Sequence, residues 1–235
     1  MLKTLQKVHK LPRSTHKSSI GVSGNKLLRI GIDIDNTVSD SYTDYLKVYN
    51  KKLGVNIQYH EIEDFYTLGK RYGVDFNKLN LIFQNCLVDQ KFQISFKAYQ
   101  DAVSIIQKWN TYGHLIHYIT GRPHTIKKIT RKWLEINGLM FENTTLDLIH
   151  MKRFGQDADF KKETVERLGI SIMIEDMREI VNAIGIPAIL LDRPWNQGKT
   201  TANVKRVSSW EEIDKIVDDL VSKIGDLETY PELPV

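Results

Sequence analysis

The chain is predicted to fold as a three-layer α/β protein: a parallel sheet with helices on both faces and a small helical unit inserted after the first strand. Three observations predict this. Short apolar β-branched runs alternate with amphipathic segments from residue 98 onward, the pattern of βαβ units. Residues 41–97 interrupt that alternation with a segment of helical spacing. At 235 residues with 41% hydrophobic and 26% charged residues, the chain can bury one core of domain size.

The first strand is Leu27–Ile34, apolar and β-branched as a strand buried on both faces would be. It runs directly into Asp33-Ile34-Asp35-Asn36-Thr37. Residues two apart on a strand share a face, so Asp33 and Asp35 are expected to project together from its carboxyl end. Burying unpaired carboxylates is costly, and a cation or shared proton chemistry is the usual compensation. An Asp–Asn turn closing the strand is the plainer alternative.

The insertion carries Tyr42, Tyr45, Leu46, Val48 and Tyr49 near helix spacing, with Gly54, Gly69 and Gly73 as punctuation. Beyond it, Ala98–Trp109 reads as a helix stopped by Gly113, His114–Ile119 as a strand, and Pro123–Ile136 as a helix with Pro in its first turn. Leu146–Met151 is a strand, Lys161–Leu168 a helix stopped by Gly169, Ile170–Ile174 a strand and Met177–Ile184 a helix. Short strands follow at Ala188–Leu191 and Val204–Val207. Ser208 or Ser209 caps a last helix, with Glu211 or Glu212 placed for a capping box and Gly225 expected to stop it.

Composition narrows the function classes. No apolar run reaches the roughly 18 residues of a membrane span. The single Cys86 excludes an internal disulfide and a multi-cysteine zinc site, and fits a reducing compartment such as the cytoplasm. The net charge of +4 is concentrated at the start, where seven Lys or Arg precede the first acid, Asp33; the remainder carries −3. No nucleic-acid surface is therefore expected. Residues 1–25, polar, basic and Ser-containing, read as a mobile arm, with an organellar transit peptide as the lesser alternative. Residues 226–235 read as a tail.

Ligands of parallel α/β sheets bind outside the carboxyl ends of the strands, so polar residues just after strands are the candidates. Besides the Asp33–Thr37 run there are three such groups. Thr120-Gly121-Arg122-Pro123 would bring a hydroxyl, a glycine amide and a helix N-terminus together as an anion site. Lys161-Lys162 stand at an expected helix start, where the dipole disfavours cations. Glu175-Asp176 form a second carboxylate pair after a second strand. Each has a bland alternative: a turn, a solvated face, an acidic helix start. Together, two acidic groups suit Mg²⁺ with its preference for hard oxygen ligands, and the hydroxyl–glycine run and a lysine suit a phosphoryl group.

In order and spacing these groups resemble the four motifs of the haloacid dehalogenase-like phosphohydrolase superfamily. These are DxDxT at Asp33–Thr37, a Thr at Thr120, a Lys at Lys161 or Lys162, and an acidic pair at Glu175-Asp176. Ile119–Pro123 and Leu191-Asp192-Arg193-Pro194-Trp195-Asn196 resemble its 5′(3′)-deoxyribonucleotidase-type branch and the related bacterial nucleotidases. The resemblance implies a Rossmann-like core of residues 26–40 and 98–225 and a helical cap over 41–97. It also implies Mg²⁺-dependent phosphomonoester hydrolysis through an aspartyl-phosphate. Asp33 would be the nucleophile and Asp35 the general acid and base. Asp33, Asp35 (through its backbone carbonyl) and Asp176 would hold the metal. Thr120, Gly121 and Lys161 would bind phosphate, with Lys161 preferred over Lys162 for its distance to Gly169. Many relatives have Asp where Glu175 stands; the second acid of the pair is the usual metal ligand, so Asp176 keeps that role and Glu175 is expected only to support the ligands from behind.

The expected substrate is a small phosphomonoester, a nucleoside monophosphate first. Seven Tyr and five Phe of the chain's 22 aromatics lie in residues 41–99. A small helical unit needs most of them for its core, and Phe65 and Tyr66 are the candidates for stacking on a base. A capped site would exclude polymers. His114 and His117 lack a matching metal set and are read as structural. A homodimer is allowed for. A sugar phosphate is the competing substrate, and a silent domain binding an acidic partner through the basic arm is the competing class.

Overall fold

The computed structural model describes residues 27–63, 71–153 and 155–226. In chain order the elements are β1 (Arg29–Ile32), α1 (Ser41–Leu53), α2 (Phe76–Val88), α3 (Gln90–Ser95), α4 (Gln100–Thr111), β2 (Leu115–Pro123), α5 (Lys127–Ile136), β3 (Thr145–Ile149), α6 (Asp157–Leu168), β4 (Ile172–Glu175), α7 (Arg178–Ala183), β5 (Ala188–Leu191), β6 (Val204–Val207) and α8 (Trp210–Asp226). The six strands form one sheet in the order β3-β2-β1-β4-β5-β6, and every pair is parallel.

Alternate strand residues divide between two cores, as a period of two requires. Ile30, Ile32, Tyr118, Ile174 and Ile189 pack with Tyr45 and Tyr49 of α1, Ile106 and Trp109 of α4, Trp133 of α5 and Trp210 of α8. Ile119, Met173 and Leu190 face the other way, against Val165 of α6 and Ile180 and Val181 of α7. A Cβ on Gly31 would lie 2.7 Å from Met173 Sδ, so glycine lets β1 and β4 pass closely on this second face. Leu79, Cys86 and Leu87 of α2 belong to the first core. The helical segment of residues 41–97 thus shares its apolar packing with the sheet. Phe65 and Tyr66 fall outside the described residues.

Several boundaries differ from expectation. β1 is shorter than Leu27–Ile34, so Asp33 and Asp35 follow the strand rather than end it. β2 extends through Pro123, with its register against β3 broken between Thr120 and Pro123. Proline fixes only φ, which suits either a helix start or extended chain, and Pro123 takes the extended alternative at φ −68°, ψ 144°. A single 3₁₀ turn, His124–Ile126, then precedes α5. The helix N-terminus expected at Thr120–Pro123 therefore stands four residues further on. α6 begins at Asp157, with Asp157 and Asp159 in its first turn, so Lys161 lies a full turn inside the helix. Gly225 falls within α8 instead of ending it. The last helix is capped by Ser209, whose Oγ accepts from Glu212 N at 3.3 Å, while Glu212 Oε2 accepts from Ser208 N at 2.7 Å.

Sequence order runs from β1 outward to β3, then returns across the sheet to β4. The place where that direction reverses, between β1 and β4, is where a ligand crevice opens in such sheets. Asp33 follows β1, and Glu175-Asp176 end and follow β4.

Candidate active site

The turn after β1 sets the first carboxylates. Asp33 N extends the ladder to Ile174 O at 2.9 Å. Val38 N and Ser39 N then both donate to Ile34 O at 2.9 Å, folding the chain back on itself. The tightness falls on Asn36, at φ +58°, a region where Asn is among the few tolerated side chains. Asn36 Oδ1 accepts from Tyr42 N at 2.9 Å and Ser41 Oγ at 3.3 Å, so it satisfies the otherwise orphaned start of α1.

Asp33 and Asp35 do not share one environment. Asp33 is buried, and its Oδ1 accepts from Lys161 Nζ at 2.5 Å. The same ammonium donates to Glu175 Oε2 at 2.6 Å. One oxygen from each of Asp33, Glu175 and Asp176 lies within 4.8 Å of the others, and all three residues are buried. Asp35 is instead gripped by Arg122, with Nε to Oδ2 at 2.8 Å and Nη2 to Oδ1 at 2.7 Å. This is the bidentate geometry in which guanidinium and carboxylate pair most strongly. The Arg122 side chain is 3% exposed and lies over the rings of Phe96 and Trp133.

These pairings set the charges. Burial pushes the Asp33 carboxyl up to about 8; Lys161 opposes the rise, while Glu175 and Asp35 add to it. Burial raises Glu175 to about 7 against the pull of Lys161, with the Asp176 charge adding to the rise. Asp176 likewise rises to about 7 through burial and the Asp33 charge. Lys161 is held above its ordinary value because Asp33 and Glu175 outweigh its own burial. For Asp35 burial also pushes upward, but the charge and hydrogen bonds of Arg122 win and hold it below the ordinary carboxylate range. Three buried carboxylates facing one ammonium leave two negative charges uncompensated when all are ionised. An all-oxygen donor set of that charge fits a hard divalent cation.

The phosphate-binding candidates surround this group. Thr120, wholly buried, accepts from Arg122 N at 3.2 Å, which leaves its hydroxyl proton to donate elsewhere. A Cβ on Gly121 would come 2.8 Å from Asp157 Oδ1, so only glycine lets β2 pass α6 at this point without displacing that carboxylate. Asp157 Oδ1 is buried with no partner among the described residues, and burial raises Asp157 against the opposing charge of Lys161. Lys161 is inward because it shares a helix face with Thr164 and Val165, three and four positions on; Lys162 is exposed. Of the residues named from sequence, the structure brings Asp33, Lys161 and Asp176 together, sets Asp35 beside them on its own partner, and places Thr120 and Gly121 at the end of the adjacent strand.

Three residues do more than the sequence assigns to them. Glu175, expected only to support the metal ligands, is a member of the carboxylate group and a partner of Lys161. Arg122 was quoted without a role; its position two after Thr120 was the available signal. Trp195, named in the sequence only within the Leu191–Asn196 run, donates through Nε1 to Asp176 Oδ2 at 2.9 Å.

Comparison with known proteins finds relatives named as nucleotidases and solved structures of hydrolases and phosphatases with the same fold. A Halalkalibacterium halodurans protein named "Putative nucleotidase" is 29% identical over 204 residues, which are 85% of this chain and 97% of that one. A Clostridium acetobutylicum protein named "Nucleotidase" is 24% identical over 83% of this chain and 96% of its own. The family model for the LNS2 domain of PITM 1-3 matches residues 86–176. Among solved structures, "a predicted phosphatase" from Clostridium acetobutylicum superposes with a TM-score of 0.62 at 17% identity, over 83% of this chain and all of that one. A "HAD family hydrolase" from Deinococcus radiodurans, described with bound phosphate and sodium, gives 0.56 at 12% identity over 84% and 98%. At such identities the structural likeness establishes the fold.

Proposed function

We propose, for a chain that belongs to the haloacid dehalogenase-like superfamily on its nucleotidase branch, that it is a Mg²⁺-dependent phosphomonoester hydrolase working through an aspartyl-phosphate, with nucleoside monophosphates as substrates. One observation carries the reading: at the reversal point of the sheet, Asp33 sits in a buried group with Lys161, Glu175 and Asp176, while two residues away Asp35 is held apart on Arg122. A nucleophile and a proton carrier are thereby given opposite environments, as tasks of opposite kind require.

In this reading Asp33 attacks phosphorus in line, forming a carboxylate O–P bond as the ester O–P bond breaks. Asp35 delivers a proton to the departing alkoxide, then takes one from the water that cleaves the aspartyl-phosphate. The Thr120 hydroxyl and the Gly121 amide hold the non-bridging oxygens, and Lys161 offsets charge that grows on them. Asp33, the Asp35 backbone carbonyl and Asp176, with Glu175 beside them, are the groups that would hold Mg²⁺, which when bound neutralises the repulsion between an anionic nucleophile and an anionic phosphate. Arg122 favours the ionised form of Asp35, the form that takes a proton from the hydrolytic water; the proton it gives the alkoxide is one it first takes up from bulk water or from the monoanionic phosphate ester.

Residues 41–97, flanked by the core segments 26–40 and 98–225, are proposed as the cap that selects a small substrate. The curated relatives' names support the nucleotide assignment, and their bacterial sources together with the single cysteine support a cytoplasmic setting. The test is phosphate release with and without Mg²⁺ over thymidine, uridine and purine monophosphates beside sugar phosphates. Asp33→Asn serves as the control and is expected to retain the fold and lose turnover. A preference for sugar phosphates keeps the chemistry and overturns the substrate; full activity in Asp33→Asn overturns the nucleophile.

A further inference from the structure

The Asp192–Gly198 loop after β5 is unusually well braced for an exposed connection. Arg193 Nε and Nη2 donate to Asn36 O at 3.1 and 2.7 Å, which ties the loop to the turn after β1. Asn196, wholly buried, donates through Nδ2 to both Asp176 O and Leu191 O at 2.8 Å. Arg206 Nη2 donates to Asn196 O at 2.8 Å. The product of this bracing is the placement of one side chain. Trp195, 8% exposed, donates its indole N–H to Asp176 Oδ2 at 2.9 Å. Its ring stacks on Tyr42 of α1, with centroids 4.5 Å apart and planes 16° off parallel. It also meets Tyr59 edge-on at 5.4 Å.

We propose that Trp195 is the positioning residue for Asp176: its N–H fixes the rotation of a carboxylate that takes a divalent cation, and its stack on Tyr42 ties that carboxylate to the segment following β1. Two physical points support this. A buried indole N–H needs a partner, and here the partner is a carboxylate, a charge-assisted bond of the stronger kind. An N–H held on Oδ2 restrains the carboxylate plane, so Asp176 presents Oδ1 to an ion from a set orientation rather than searching for it. Donors that orient a ligand carboxylate in this way typically alter metal affinity by about 10- to 100-fold when removed. The Asn196 contact to Asp176 O fixes the backbone of the same residue, so side chain and main chain are both immobilised by one loop.

This inference rests on the ion site of the proposed function, and the experiment separates the two. Mg²⁺ is titrated calorimetrically into the full chain without substrate, for wild type and for Trp195→Phe, which keeps an aromatic ring beside Tyr42 and removes the N–H. The expected result is at least a 10-fold weaker Mg²⁺ affinity in Trp195→Phe, with the thermal midpoint in EDTA within a few degrees of wild type. Equal affinities overturn the inference and leave the site intact. A wild-type chain that binds no Mg²⁺ overturns both. Should Trp195→Phe lack a cooperative melt, Tyr42→Leu decides: it leaves Asp176 and the indole in place but removes the stack, and it is expected to weaken Mg²⁺ binding. Wild-type affinity in Tyr42→Leu then overturns the inference.

Discussion

Lys161→Met removes the ammonium at the centre of the carboxylate group while keeping most of the side chain's apolar volume. In the native chain Lys161 Nζ lies 2.5 Å from Asp33 Oδ1 and 2.6 Å from Glu175 Oε2, and its side chain is 2% exposed. Removing one partner from a buried ion pair costs about 3–5 kcal/mol, because the remaining charge is left uncompensated. For a chain of this size that corresponds to a fall of about 6 to 20 °C in the thermal midpoint. The loss has a defined pH dependence. Asp33, Glu175 and Asp176 already stand at about 8, 7 and 7, above their ordinary values of 3.8, 4.5 and 3.8. A carboxylate raised on folding contributes stability below its unfolded value and loses it as pH rises through its folded value. Without Lys161 the folded values rise further, so the penalty is small near pH 5.5, where the carboxylates hold protons, and grows toward pH 8. Thermal melts in EDTA at the two pH values measure this. A Lys161→Met midpoint within 2 °C of wild type at pH 8 would refute the electrostatic reasoning. Phosphate release should fall about 10²- to 10³-fold, the usual effect of deleting a group aimed at transition-state charge.

Two further outcomes follow from the same charges. Mg²⁺ binding at pH 7 should release protons from carboxylates raised to about 7 and 8, and affinity should rise between pH 6 and 8; calorimetry in buffers of different ionisation enthalpy reads the proton count, and a count of zero contradicts the assigned charges. Arg122→Met should remove the main opposition to burial at Asp35 and lift its pKa, so the acid limb of the kcat profile moves to higher pH; an unmoved limb removes Asp35 as the base.

Much of this site was legible because chemistry at a strand end needs polar residues where the local pattern has just been apolar. Asp33 after Ile32, Thr120 after Ile119 and Glu175-Asp176 after Ile174 each break a buried run, and the topology of a parallel sheet then carries them to one edge. The pairings were not legible. Asp35 meets Arg122 across 87 positions, and Lys161 meets Asp33 across 128; residue type fixes that a charge needs a partner, whereas only the packed fold decides which one. The two-residue spacing of Asp33 and Asp35 suggested a shared environment because the strand was expected to continue. The turn at Asn36 ends that logic, and the divergence it creates lets one carboxylate join the cation group while the other faces Arg122. Likewise, Lys161 is set against the dipole only when the sequence pattern starts α6 four residues late. With Asp157 and Asp159 in the first turn, the acids occupy the positive end of the dipole and Lys161 occupies the inward face one turn later.

The loop holding Trp195 shows what a motif without an evident role can mean. Its Asp, Arg, Pro and Asn are turn-forming or polar types that composition alone assigns to a surface connection; only Trp195 is of a type that favours burial. In the structure Arg193 reaches the turn after β1, Asn196 the backbone of Asp176 and Trp195 its carboxylate. The strand-end acids come from β1 and β4, and this loop from β5 is what joins them. Burial raises the cost of every misplaced charge in the group, so a site with three buried carboxylates needs restraint on each. Lys161 supplies it for Asp33 and Glu175. For Asp176 the restraint comes from an indole, which adds no charge of its own and so leaves the group's negative balance available to a cation.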